Sequence, residues 1–285
     1  GLCREQVPTQ SLRSVAVWRA LMYHMPLTAL IRNLGKMQSI KLLQDEVLQQ
    51  VVDVLGNAEK IKQARVHPIQ LLLAKVIYER GYSDLGSLCW GPKAELVAAL
   101  EAAFYHSFAS LTPTGKRFCL AFDVSRSMAN GIAGSCLTAR DAAVAVGLTL
   151  LKVESHVDCF AFSSKYEKLP YTAKWNLRSV KEHMESRPEG QTNCALPMQN
   201  ATRTGKKYDA FVIFTDNDTG CADSPVRALC NYRRVSGVAD ARLVVVAFTA
   251  TQFTVADPDD GGMLDVVGFD PSLPEVIQQF VCGLL

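Results

Sequence analysis

Two patterns of apolar residues divide the chain. Over the first 110 residues apolar positions recur every three to four residues, the spacing of one helix face. Val15, Trp18, Leu21, Met22 and Met25 give the first run. Pro26 suits the first turn of a second helix, with Leu27, Leu30, Ile31 and Leu34 on one side and Gly35 as its stop. Val47, Leu48, Val51, Val52 and Leu55 repeat the pattern up to Gly56-Asn57. Pro68 opens a helix carrying Ile69, Leu72, Leu73, Val76 and Ile77, closed by Gly81, and Pro92 opens one carrying Leu96, Leu100, Phe104 and Phe108. Short helices punctuated by Pro and Gly predict stacked helix pairs, an α-solenoid of HEAT-like form, although no strict repeat is present.

Thr112-Pro113-Thr114-Gly115 marks the boundary, and the period changes after it. Phe118–Phe122, Val157–Phe162, Ala210–Phe214 and Leu243–Phe248 are short, continuously apolar runs rich in β-branched and aromatic residues. Helical stretches separate them: Ser135–Val153, Leu177–Ser186, Ala195–Thr202 and Ser224–Arg234, with a last amphipathic segment at Pro274–Val281. Strands apolar on both faces, alternating with helices, predict a parallel sheet covered on both sides. The expected class is therefore α plus α/β: a helical-repeat segment over 1–112, incomplete at its start, then a Rossmann-like domain over 116–285.

Composition narrows the function classes. Of 285 residues, 48% are apolar and 20% charged, a globular balance. The longest apolar stretch, Ala142–Leu151, is half of what a membrane span needs. Nine Cys occur without any C-x-x-C spacing, which predicts reduced thiols in a cytoplasmic or nuclear protein. The chain opens without Met and without an apolar leader, as expected of a piece of a longer protein. Residues 1–115 hold 12 Lys and Arg against 9 Asp and Glu, whereas the remainder hold 18 against 19. The net charge of +2 is too small to announce nucleic-acid or membrane binding; any polyanion preference would sit in the first part.

The chemistry gathers at two strand ends. Asp123-Val124-Ser125-Arg126-Ser127 follows the first strand, and Thr215-Asp216-Asn217-Asp218 follows a later one. Open α/β sheets place ligands at the carboxyl ends of their strands. A carboxylate with hydroxyls at alternate positions aims three oxygens at one point, and a second carboxylate adds to them. Hard oxygens with few charges suit Mg²⁺. An ordinary strand-to-helix cap is the competing reading of the first segment alone.

Asp123-x-Ser125-x-Ser127 resembles the metal-ion-dependent adhesion site of von Willebrand factor A domains. That resemblance assigns Thr192, from Gly190-Gln191-Thr192-Asn193, and Asp216 to the remaining positions. Asn193 stands where that family usually has Asp. The resemblance implies a bound divalent cation with one coordination position left to a partner carboxylate or water, and no catalysis.

Further segments are similar to the Ro autoantigen family, which joins a TROVE helical module to such a domain. They are residues 21–37 (LMYHMPLTALIRNLGKM), Ala64-Arg65-Val66-His67-Pro68, Pro113–Phe118, and Thr254–Asp260 with Gly262-Met263-Leu264-Asp265. A telomerase-associated protein shares the helical module, but the chain's end just after the A domain fits the Ro family better. The resemblance implies small noncoding Y-type RNAs and single-stranded 3′ ends of misfolded RNAs as partners, with no DNA specificity and no membrane. Arg32, Asn33, Lys36, Arg65 and His67 are the RNA-contact candidates, competing with roles as solvated or helix-capping residues.

Other signals point nowhere specific. There is no nucleotide-binding glycine motif and no G-x-S-x-G or H-E-x-x-H. The Asp257–Asp265 cluster reads as a turn rather than a cation loop. Two rival functions remain: a protein module capturing an acidic partner residue through the metal, and a hydrolase using Asp218 as base.

Overall fold

The computed structural model describes residues 2–83, 87–187, 190, 192–216, 224–249 and 255–285. Contacts divide the chain into two compact units, Gly1–Leu111 and Thr112–Leu285.

The first unit holds α1 (Val15–Met22), α2 (Leu27–Ser39), α3 (Asp45–Gly56), α4 (Ala58–Ala64), α5 (Pro68–Arg80) and α6 (Ala94–Ser107). Their apolar faces converge on Trp18, Leu34, Met37, Leu55, Ile61 and Leu100, all almost fully buried. Helix α6 packs against α3, α4 and α5. Two expectations fail here. Gly35 does not end α2, which runs on to Ser39. The glycine is there because the Trp90 ring lies against it: a Cβ would fall 2.7 Å from the ring carbons. Helix α4 was not expected; Asn57 ends α3 and also caps α4, its side chain accepting from the Lys60 N–H. Gly81 does close α5 as expected, in the left-handed conformation.

The second unit is a six-stranded sheet with helices between its strands. Its elements are β1 (Arg117–Asp123), α7 (Ala139–Val153), β2 (His156–Phe162), β3 (Tyr166–Leu169), α8 (Leu177–Glu185), α9 (Leu196–Thr204), β4 (Ala210–Thr215), α10 (Pro225–Ser236), β5 (Arg242–Ala247), β6 (Met263–Val267) and α11 (Leu273–Val281). The strand order is β3-β2-β1-β4-β5-β6. All pairs are parallel except β2–β3. The four expected strands form the centre. The two edge strands escape the hydrophobic pattern because each is partly exposed and carries charge. Helix α7 starts at Ala139 rather than Ser135, where Thr138 and Asp141 cap each other across the first turn.

The aspartates after β5 take separate structural partners. Asp260 pairs with Arg233, and Asp265 accepts the Val255 and Ala256 N–H groups. Chain order reverses direction at β1, with β2 on one side and β4 on the other. The ligand crevice of such a sheet lies at the carboxyl ends of those strands.

Candidate metal crevice and RNA-facing residues

Strand β1 ends on Asp123, which is fully buried. Its carboxylate is held by three neutral donors. The Ser125 N–H donates to Oδ1 at 2.8 Å. The hydroxyls of Thr192 and Thr215 donate to Oδ2 at 3.2 and 2.9 Å. Ser125 and Ser127 bring their Oγ atoms within 3.1 Å of each other. The short 3₁₀ turn Arg126–Ala129 makes that approach possible. Asp216 follows β4, is nearly buried, and its Oδ1 has no hydrogen-bond partner among the described residues. The structure thus gathers Asp123, Ser125, Ser127 and Thr192 by contact, with Asp216 at the end of the adjacent strand.

Electrostatics bear on what this crevice can hold. Burial pushes the Asp123 carboxyl above the ordinary carboxylate range; the neutral donors oppose that, and the Asp216 charge adds to it. Two buried carboxylates beside one another, one with an unsatisfied oxygen, are costly without a cation. Hydroxyls that donate their protons to Asp123 turn their lone pairs elsewhere. The donor set is all oxygen, as Mg²⁺ requires.

Pattern reading overlooked two residues. Thr215 anchors Asp123 from β4, and its place directly before Asp216 was the available clue. Arg140, on the first turn of α7, directs Nη2 toward the Ser125 carbonyl at 3.5 Å. No sequence signal marks it, because only the fold brings α7 beside that turn. Asp218 and Asn217 lie outside the described residues, as does Gln191.

The RNA-contact candidates occupy different settings. Arg32 is exposed on α2, one turn from half-buried Lys36. Asn33 donates to the Ala29 carbonyl of its own helix at 2.8 Å. Arg65 is exposed and ends α4 with φ 49°. His67 caps α5, its Nδ1 accepting from the Ile69 N–H at 3.2 Å. Asn33 and His67 therefore have structural work, whereas Arg32 and Arg65 present their charge to solvent.

Comparison with known proteins agrees with both units. The family model described as the Ro60 vWA domain matches residues 117–281, and that of the TROVE domain matches residues 2–116. A protein of Caenorhabditis elegans named RNA-binding protein RO60 is 43% identical over 285 residues, covering 99% of this chain and 44% of its own length. Its namesake in Deinococcus radiodurans is 37% identical over 285 residues, covering 98% and 53%. The crystal structure of the Deinococcus radiodurans RO (RSR) protein superimposes with a TM-score of 0.93 at 36% identity, over 100% of this chain and 58% of that one. The chain spans about half the length of these relatives.

Proposed function

The chain belongs to the Ro60 family, and from that we propose that it serves as an RNA-binding subunit of a ribonucleoprotein rather than as an enzyme. The observation that carries this reading is the likeness to proteins named for RNA binding, which runs through both units at 43% and 37% identity. Small noncoding Y-type RNAs and single-stranded 3′ ends of misfolded RNAs are the proposed partners, encountered in the cytoplasm or nucleus. Arg32 and Arg65 are the better-suited phosphate contacts of the helical unit, because their charges are exposed.

The A domain is proposed to hold Mg²⁺ or a similar divalent cation through Asp123, Ser125, Ser127, Thr192 and Asp216. The cation would neutralise two carboxylates and leave a position for an outside oxygen. Asp123 and Thr215 would hold the Ser125–Ser127 turn, and Asp216 would supply the oxygen that has no hydrogen-bond partner among the described residues. A second reading follows from that same open oxygen: the crevice captures an acidic residue of a protein partner through the metal.

Titration with a structured RNA bearing a single-stranded 3′ tail, at two salt concentrations and with either Mg²⁺ or EDTA, separates these readings. Saturable binding that falls steeply with salt supports the RNA function. Absence of binding at low salt refutes it for this chain. For the metal, Mg²⁺ should raise the melting temperature of the parent chain and not that of Asp216→Asn. At a concentration of about 100 Kd the stabilisation is ~2.7 kcal/mol. Equal melts with Mg²⁺ and EDTA would remove the cation from the proposal.

A further inference from the structure

The sheet has a second charged end, opposite the metal crevice. Arg117 at the start of β1, Lys168 on β3, Arg203 at the end of α9, and Lys206 and Lys207 in the turn that follows come to one face. These residues border two adjoining clefts of about 330 and 280 Å³, which share Lys206 and Tyr208. Two carboxylates stand among them. Asp209 is taken up by Arg117, which grips it through Nε at 2.9 Å and Nη2 at 2.5 Å. Asp158 accepts from Lys168 Nζ at 2.6 Å, Lys206 Nζ at 3.3 Å and the Tyr208 hydroxyl at 2.8 Å. Two lysines thus share one acid. Arg203 and Lys207 are exposed and form no ion pair among the described residues. Farther out, Lys116 and Asp240 act on the Arg117–Asp209 pair with opposite signs.

The face therefore carries an excess of positive charge in a domain whose total balance is slightly negative. Arg203, Lys206 and Lys207 lie within five residues of the chain, but only the fold brings Arg117 and Lys168 beside them. Such an excess raises the local concentration of anions. The lysine heads remain accessible: the side chains of Lys168 and Lys206 are 61% and 58% exposed. Cations spread along two open, adjoining clefts match an extended chain of phosphates better than one compact anion.

We propose that this basic face of the A domain is a second RNA-contact surface, holding backbone phosphates through Arg203, Lys206 and Lys207. It rests on the RNA-binding reading and extends it to a unit whose charge alone did not suggest it. The contact is independent of base sequence, since lysine and arginine on phosphates position the strand without reading it. It is also independent of divalent cations, because the metal crevice sits at the other end of the strands.

The test is a salt titration of RNA binding by the whole chain, in EDTA, using the tailed RNA above. Arg203→Ala/Lys206→Ala/Lys207→Ala is compared with Lys174→Ala/Arg227→Ala/Arg234→Ala, which removes equal charge elsewhere on the domain. Each lost phosphate contact lowers the slope of log K against log salt by about one. The first variant should lose about two to three from the slope and bind at least tenfold more weakly at low salt, while the second stays near the parent. Arg203→Ala/Lys207→Ala alters no described ion pair and should lose about two-thirds as much, which guards against misfolding of the triple variant. Equal effects of the two triple variants, or an unchanged slope in the first, would overturn the inference while leaving RNA binding intact. A parent chain that binds no RNA would overturn both.

Discussion

Gly147→Ala tests how tightly the metal crevice is tied to the core. Gly147 lies inside α7, where helix propensity alone favours alanine by about 1 kcal/mol. The packing opposes it. A Cβ at this position would meet the Phe122 ring, with Cε1 at 2.5 Å, and would lie 3.5 Å from Phe214. Phe122 cannot swing aside, because it stacks on Phe214 at 5.0 Å between centroids and both rings are essentially fully buried. Overpacking costs about 1–3 kcal/mol, and an approach this close to a ring that cannot move belongs to the upper part of that range, about 2–3 kcal/mol, so the steric term should win and leave a net loss of ~1–2 kcal/mol. For a domain of this size that lowers the melting temperature by about 2–8 °C. Phe122 precedes Asp123, so the displaced strand end should also weaken the stabilisation by Mg²⁺. Differential scanning fluorimetry with Mg²⁺ and with EDTA reads both effects. In a Phe122→Leu background the same change should be neutral or stabilising, giving a coupling of at least about 1 kcal/mol. An unchanged or raised melting temperature for Gly147→Ala alone would refute the reasoning.

Glu154 is nearly buried and accepts from the Thr114 N–H and hydroxyl, both at 3.0 Å, and from Gln278 at 2.7 Å, so it joins the start of the second unit to α11. Glu154→Ala should cost about 2–4 kcal/mol, because three donors lose a charged acceptor; a urea midpoint within error of the parent would contradict this. His183 Nε2 must accept from Arg187, 2.7 Å away, since a guanidinium only donates, and Nδ1 then donates to the Tyr171 hydroxyl at 2.9 Å. Burial and Arg187 hold His183 below its ordinary range, against the opposing charge of Glu167. The unfolded chain therefore takes up this proton first, and the stability His183 confers is full above about pH 6.5 and is lost as the pH falls below it. Denaturant midpoints between about pH 7.5 and 5.5 should decline less in His183→Gln than in the parent.

The alternation of strand and helix was legible because β1, β4 and β5 are buried on both faces and so read as unbroken apolar runs. The cluster of Asp123, Ser125 and Ser127 was legible for a related reason. A motif confined to one turn, Asp123 to Ser127, leaves its spacing in the linear order. Other features left no such trace. Gly35 resembles a helix stop until Trp90, far along the chain, is seen to lie against it. Strands β3 and β6 alternate too weakly to stand out, since an edge strand needs little burial.

Local physics is thus what the linear order of residues determined: helical and extended periods, the helix stop at Gly81, and the hydroxyl spacing after β1. The tertiary structure alone decided which distant groups meet. It set Thr215 and Arg140 beside the Asp123 turn, left an Asp216 oxygen without a hydrogen-bond partner among the described residues, and joined cations from three segments at the opposite end of the sheet. The reason is that electrostatic and steric terms depend on distance through space. Strand order, unlike periodicity, is fixed by packing among segments far apart in the chain.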